Sequence, residues 1–201
     1  MGLPVNRLTI GETRQSLVIS GRAVPGCVFR LAPTVYTDIM AAGRSHKLLA
    51  TGARAPEFRL PLLVGGEVSL QELRARGPVL VAFFKITCPV CQMTFPFLER
   101  LHAAGTLQIY GISQNDPADT REFNREFGVT IPAMLDTEDS GFPVSNDYGI
   151  ATVPTLFLVE PAGTVSFVSE GFSKKEIARL GSRTGVTVFR QSDKVPEWKP
   201  G

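Results

Sequence analysis

The chain has 201 residues, of which 43% are apolar and 20% are charged. This composition is ordinary for a soluble globular protein, and the length suits one domain with an additional segment. The formal net charge of +2 is too small to favour nucleic acid or an anionic membrane surface as the main partner. No apolar run approaches the roughly 18 to 20 residues of a membrane-spanning helix, and no secretory signal is recognised. We therefore expect a cytoplasmic protein.

Residues 1–50 differ in pattern from the rest of the chain. Their apolar residues follow no sustained period of 2 or 3.6, and proline and glycine interrupt them repeatedly. We predict a poorly ordered extension, or a leader that precedes a translation start at Met40, so that a chain beginning there keeps the fold and the chemistry. A folded domain is predicted over residues 51–190, and a solvated tail with Trp198 as its anchor over residues 191–201.

The folded domain begins with a short hairpin and a strand–helix unit. Two glycines predict a turn that joins a strand at 62–64 to one at 67–68, and a capping box from Ser69 to Glu72 opens a short helix. Residues 79–84 are uniformly apolar, as expected of a strand covered on both faces. A helix with an apolar stripe follows over residues 89–104.

The second half of the domain continues this alternation and closes with an antiparallel pair. Its predicted elements are a strand at 107–112, a helix from Asp116 to 127, a short strand at 131–135, a short helix at 142–148, strands at 155–159 and 164–168, and a helix from Ser173 to Leu180. Parallel strands that alternate with helices and end in a hairpin predict an α/β fold, with a central mixed β-sheet flanked by helices on both faces.

The motif that carries chemistry is Cys88-Pro89-Val90-Cys91. It begins where the buried strand ends and the long helix starts, so unpaired N–H groups and the helix dipole favour a thiolate on Cys88. The two-residue spacing places Cys91 one turn further on the same side, close enough for a disulfide. These features indicate a redox couple in which Cys88 attacks and Cys91 resolves the mixed disulfide.

Zinc is the main alternative for a CxxC pair, because structural zinc requires four ligands. The sequence offers only Cys27, His46 and His102 besides the pair, and none stands at a ligand spacing from it. We therefore predict no metal, and no cofactor other than the Cys88–Cys91 disulfide.

Five segments together resemble the thioredoxin-like redoxin family, which includes TlpA/ResA-like thiol-disulfide oxidoreductases and the related AhpC/TSA peroxiredoxins. They are the entry segment Gly52 to Phe58, the strand–CPVC–helix unit Val79 to Leu101, Gly111 to Ser113, Asp147 to Gly149, and Thr152 to Thr155. The resemblance covers roughly residues 52 to 185. It implies a thioredoxin-like fold and dithiol chemistry.

The resemblance also implies a substrate-binding surface. Pro154 would follow a cis peptide bond and pack beside the dithiol, and Val153 would pair through its backbone with an incoming chain. Thr87, Pro89 and Val90 around the cysteines complete the predicted surface.

Two positions depart from the thioredoxin pattern. Thr87 stands where tryptophan usually precedes the first cysteine, and Ala82 stands where thioredoxin has a buried acid that accepts the proton of the second thiol. Water, substrate or another group must then take that proton, and Glu160 and Glu170 are the candidate carboxylates.

The predicted function is thiol-disulfide exchange with protein substrates, supported by a thiol reductant. A peroxiredoxin-like peroxidase is the alternative, although its signature P-x-x-x-T/S-x-x-C fits neither cysteine: three positions before Cys88 is Lys85, and three before Cys91 is Cys88 itself. A copper-binding assembly factor of the Sco type is disfavoured, because its cysteines are more widely spaced and no histidine follows His102. The sequence does not indicate an oligomeric state.

Overall fold

A computed structural model of the chain describes residues 47–201. Cys27, the expected start at Met40 and residues 1–46 of the expected extension therefore lie outside the described residues. The last residues of that extension contact the folded domain: the Leu49 N–H donates to the carbonyl of Tyr148, and Leu48 and Leu49 pack against its core. Within residues 47–201, no helix is both long enough and apolar enough to cross a lipid bilayer.

The domain opens with the hairpin of β1 (Arg59–Pro61) and β2 (Glu67–Ser69), followed by α1 (Leu70–Arg74). The predicted strand at 62–64 is wrong, because this segment forms the loop of the hairpin. The backbone of this loop instead contacts a later strand: Leu62 forms an antiparallel bridge with Met134, and the Leu63 N–H donates to the carbonyl of Ala133. The capping box at Ser69 is confirmed, with both of its reciprocal hydrogen bonds present.

The central sheet has five strands in the order β5-β4-β3-β6-β7. The strands of this sheet and the helices between them are, in chain order, β3 (Val79–Phe84), α2 (Pro89–Ala103), β4 (Gln108–Ser113), α3 (Pro117–Phe127), β5 (Ala133–Leu135), α4 (Pro143–Asp147), β6 (Thr155–Val159) and β7 (Val165–Glu170). The pairs β3–β4 and β4–β5 are parallel, whereas β3–β6 and β6–β7 are antiparallel. The predicted mixed sheet is confirmed.

Strand β3 lies in the middle of the sheet and is buried along its whole length. Its side chains alternate between two apolar clusters: Leu80 and Phe84 belong to one, and Val81 and Phe83 to the other. Because successive side chains of a strand point to opposite faces, the two clusters lie on the two faces of the sheet. Side chains of α2 and α5 contribute to the first cluster, and those of α1 and α4 to the second.

The C-terminal segment predicted as a solvated tail is mostly exposed, but its end pairs with another strand. After β8 (Phe172–Ser173) and α5 (Lys174–Thr184), the chain runs back to form β9 (Trp198–Lys199), which pairs antiparallel with β8. Trp198 is 61% exposed, so it is not the anchor. The anchors are backbone pairing and an ion pair in which Arg100 of α2 contacts Asp193 at 2.5 Å.

Candidate active site

The two cysteines lie at the junction between β3 and α2, beyond the carboxyl end of the central strand. Cys88 is the N-cap of α2, and its Sγ accepts a hydrogen bond of 3.4 Å from the Cys91 N–H. Cys88 is partly exposed, whereas Cys91 is fully buried. The predicted arrangement of an accessible thiol one turn before a buried one is therefore present in the fold.

The surroundings of Cys91 keep this thiol protonated. Burial raises its pKa far above the ordinary value, and the nearby Cys88 acts in the same direction, while a backbone hydrogen bond from Lys85 opposes them. Since a buried thiolate loses its hydration without gaining a countercharge, Cys91 is poorly suited to attack an external disulfide.

The loop before β6 lies directly against Cys88. The Val153–Pro154 peptide bond is cis, as the resemblance implied. The Cys88 Sγ donates a hydrogen bond of 3.2 Å to the carbonyl oxygen of Val153. Pro154 is buried and Val153 is half-buried, so the backbone of this loop lies beside the Cys88 sulfur.

The remaining predicted substrate contacts divide into exposed and buried side chains. Thr87 and Pro89 are exposed and flank Cys88. Val90 is only 5% exposed and packs in the core cluster that also contains Cys91. Val90 is in the first turn of α2, and its side chain faces the core rather than the surface around Cys88, where we predicted a substrate contact.

Two polar side chains that the sequence patterns did not predict hold the loop that precedes Cys88. The Ile86 N–H donates to Oδ1 of Asn115 at 3.0 Å, and the Ile86 carbonyl accepts from Nε2 of Gln92 at 2.9 Å. Asn115 follows β4, which is the parallel neighbour of β3. The position of Asn115 after a strand next to the cysteine-bearing strand is the signal from which its role could have been inferred.

The two candidate carboxylates for the Cys91 proton lie at different ends of the sheet. Glu160 follows Val159, which pairs with Val79 at the start of β3; it is about 20 Å, a six-residue strand length, from the dithiol end. A hydrogen bond from Ser166 and contacts with Arg183 lower its pKa and occupy it. Glu160 is thus excluded as the acceptor.

Glu170 remains at the dithiol end. However, it pairs with Thr155 of β6, which pairs with Phe83 of β3, so it is on the face of the sheet opposite Ala82 and Cys91, and it is exposed. Ala82 is fully buried within the core cluster below the cysteines, so no side-chain carboxylate replaces the acid of thioredoxin at that position.

Lys85 is exposed, and its Nζ lies 5.7 Å from the centre of the Phe142 ring. Its charge is therefore directed at an aromatic face on the loop before α4. Among the described residues 47–201, no three His, Cys, Asp or Glu side chains form a group that could hold a metal ion.

Residues 51–168 match the AhpC/TSA family. The chain belongs to the AhpC/TSA family. Within this group of thioredoxin-like redoxins it is similar to the thiol-disulfide oxidoreductase ResA of Geobacillus thermodenitrificans, with 31% identity over 150 residues, which span 73% of this chain and 82% of that protein.

Solved structures place this AhpC/TSA protein in the same fold class. The thioredoxin domain of a thiol-disulfide oxidoreductase from Bacteroides vulgatus aligns with a TM-score of 0.59 and 26% identity, over 67% of this chain and 97% of that one. The peroxidoxin BcpB of Mycobacterium tuberculosis aligns with a TM-score of 0.57 and 21% identity, over 68% and 96%. The second likeness concerns the fold alone, so the fold does not separate disulfide exchange from peroxide reduction.

Proposed function

We propose that this protein is a ResA-like thiol-disulfide oxidoreductase that exchanges disulfides with protein substrates through Cys88 and Cys91. One observation carries the proposal: a partly exposed cysteine begins helix α2, a buried cysteine lies one turn later, and the accessible sulfur contacts the backbone of Val153. This combination separates an attacking thiol from a resolving thiol and supplies a place for an extended peptide.

In the reducing direction, the Cys88 thiolate attacks one sulfur of the substrate disulfide. A Cys88–substrate disulfide forms, and the other substrate sulfur leaves as a thiolate that takes a proton. Cys91 then loses its proton and attacks Sγ of Cys88, which releases the second substrate thiolate. Two electrons pass from the dithiol to the substrate, and the Cys88–Cys91 disulfide must be reduced by a thiol reductant before the next cycle.

Burial of Cys91 fits the second step better than the first. Its thiol cannot contact an external protein, but the Cys91 N–H already lies 3.4 Å from the Cys88 sulfur. The proton of Cys91 leaves when a negative charge develops on the departing substrate sulfur beside it. Water and the departing substrate thiolate are the groups that can take this proton.

The substrate class follows from the backbone beside Cys88. The half-buried Val153 has a carbonyl that contacts the Cys88 sulfur, and an extended peptide bound along such an edge gains main-chain hydrogen bonds without a demand for one particular side chain. The exposed Thr87 and Pro89 would lie on either side of the substrate sulfur. A peroxide needs no such edge, and the position three residues before Cys88 holds the exposed Lys85 rather than a threonine or serine.

Trapping with single-cysteine variants tests the assignment. Cys91→Ser is expected to accumulate a mixed disulfide with a protein disulfide such as insulin, and Cys88→Ser is expected to accumulate none. In the reduced wild-type protein, brief alkylation at neutral pH should label Cys88 first, because Cys91 is buried. Trapping by Cys88→Ser, or equal labelling of both thiols, contradicts the proposal. A hydrogen peroxide rate constant far above that for insulin would favour the peroxidase instead.

A further inference from the structure

The C-terminal strand segment, which we define as residues 198–201, runs to the same backbone edge that the proposed function assigns to the substrate. Trp198 and Lys199 form β9, with Ser173 and Phe172 as their partners. One residue earlier, the Glu197 carbonyl accepts the Lys174 N–H at 3.0 Å. Beyond Phe172 the partner strand continues through Gly171, whose N–H donates to the carbonyl of Pro154, so this pairing leads the segment directly to the cis-proline loop.

The contacts of two glycines show how close the segment lies to that loop. A Cβ added to Gly201 would clash with the carbonyl oxygen of Val153 and lie 2.8 Å from its carbonyl carbon and 3.2 Å from its nitrogen. A Cβ added to Gly171 would clash with the carbonyl of Lys199 and lie 3.0 Å from the nitrogen of Gly201. Gly201 therefore lies against the backbone of Val153, and no side chain could be placed at either glycine without moving the segment or the loop.

The segment is held far less firmly than the chain that leads to it. Upstream, Asp193 accepts two hydrogen bonds from Arg100 at 2.5 and 3.0 Å, and Phe189 stacks against Phe97 of α2. Residues 198–201 are all exposed, and a two-residue ladder is their only strand pairing among the described residues. Short edge pairings of this kind open at low free-energy cost, so the segment can leave while its anchor stays in place.

We propose that residues 198–201 act as a built-in substitute for a substrate strand, and that a protein disulfide must displace them before it reaches Val153. This inference rests on the proposed function, which makes the Val153 backbone the docking edge. The carbonyl of Val153 contacts both the Cys88 sulfur and Gly201, so an incoming chain and the segment compete for the same groups. A small disulfide needs no backbone pairing and reaches the partly exposed Cys88 directly.

The decisive comparison uses a chain that ends at Glu197 and two oxidants, insulin and glutathione disulfide. If the segment is closed most of the time, the apparent affinity for a protein disulfide is reduced in proportion to the fraction of molecules with the segment open. Truncation should therefore raise the insulin rate constant by roughly three- to tenfold. The rate constant with glutathione disulfide should not change. Lys199→Ala is the matched control: it alters an exposed side chain of the same segment, retains the backbone, and should behave as the wild type with both oxidants.

A second variant covers the case in which truncation disturbs folding. Gly201→Val places a branched side chain against Val153 and should raise the insulin rate constant as truncation does. An unchanged or lower insulin rate constant in both variants, or an equal rise with both oxidants, overturns the proposal. If the wild type and both variants oxidise no faster with insulin than a Cys88→Ser control, the proposed function fails rather than this inference.

Trp198 provides an independent measurement, because it is the single tryptophan of the chain. When Cys91→Ser is trapped as a mixed disulfide with a cysteine peptide in extended conformation, β9 should separate from β8. Quenching of Trp198 fluorescence by acrylamide should then rise above its value in the free protein, and a mixed disulfide with glutathione should leave it unchanged. Equal quenching in the free and peptide-trapped states would contradict displacement.

Discussion

At the scale of single residues, Cys88 and Cys91 lie three positions apart in different surroundings. Cys88 begins α2 with a partly exposed sulfur, while Cys91 is buried in a cluster with Leu98 and Phe95. Their order in the CPVC motif predicts that Cys88 attacks, because the residue that caps a helix is more accessible than one a turn further in. Their depth depends on how α2 packs on the sheet, which spacing alone does not specify.

The raised pKa of Cys91 leads to a pH dependence of stability with a definite sign. Burial keeps the thiol protonated in the folded protein, whereas the unfolded chain releases this proton near the ordinary pKa of 9.0. Above this pH the unfolded state binds fewer protons than the folded state. The contribution of Cys91 to the free energy of unfolding is therefore fully present below pH 9 and is lost as the pH rises. In the reduced protein, the free energy of unfolding should fall by up to about 1.4 kcal/mol per pH unit above that point.

Urea unfolding at pH 8 and pH 10 measures this slope. Cys88→Ser serves as the reference, since it cannot form the disulfide, and Cys88→Ser/Cys91→Ala removes the titrating thiol. The double variant should lose most of the decrease, although Tyr148, whose pKa is also raised by burial, contributes in the same direction above pH 10. Parallel pH dependences in the two variants would contradict the assignment to Cys91.

At the scale of elements, the loop between β3 and α2 is defined by side chains from two other places in the chain. Asn115, after β4, and Gln92, in α2, bind the N–H and the carbonyl of Ile86. Neither contact extends a helix or a strand, so no periodic pattern predicts it. The Asn115 contact exists because β3 and β4 are parallel neighbours and end at the same edge of the sheet.

Asn115→Ala should lower the free energy of unfolding by about 1–2 kcal/mol, because it leaves the half-buried Ile86 N–H without its acceptor. Asn115→Asp retains an oxygen at the Oδ1 position and is the matched control, with a much smaller expected loss at neutral pH. Chemical denaturation of the reduced proteins measures both. Equal stability of Asn115→Ala and the wild type would show that water replaces the side chain.

Element prediction succeeded where one local signal was sufficient and failed where a distant strand intervened. The uniform apolar run in β3 and the capping box at Ser69 correctly predicted a buried strand and a helix start. The hairpin strand was placed three residues too late, because Leu62 and Leu63 carry the apolar character of a strand but use it against β5.

At the scale of the whole molecule, the ion pair between Arg100 and Asp193 joins the C-terminal region to helix α2. Hydrogen bonds from the Arg100 side chain, and then from the Arg190 backbone, lower the pKa of Asp193 to about 2. The pKa of Asp193 in the folded protein lies below its ordinary value of 3.8. The contribution of this ion pair to the free energy of unfolding is therefore present above pH 4 and is lost as the pH falls towards 2.

Asp193→Asn should therefore lower the Tm at pH 7, and its difference from the wild type should narrow as the pH falls from about 4 towards 2. Thermal unfolding across this range tests the expectation. Asp139→Asn, at an exposed position in the 3₁₀ turn before α4, is the control and should leave the Tm at pH 7 nearly unchanged. A constant difference between Asp193→Asn and the wild type at all pH values would assign the effect to packing rather than charge.

The amino-acid sequence by itself determined the class of the fold and the candidate thiols, Cys88 and Cys91. Period, caps and an unbroken apolar strand are local properties, and the CPVC spacing sets the geometry of a disulfide on a helix turn. Only the tertiary structure decided that Val90 faces the core, that Glu160 is at the far end of the sheet, and that Gly201 lies against the backbone of Val153. These outcomes depend on which distant segments become neighbours, and that choice is made by burial of the whole apolar surface rather than by any single stretch of chain.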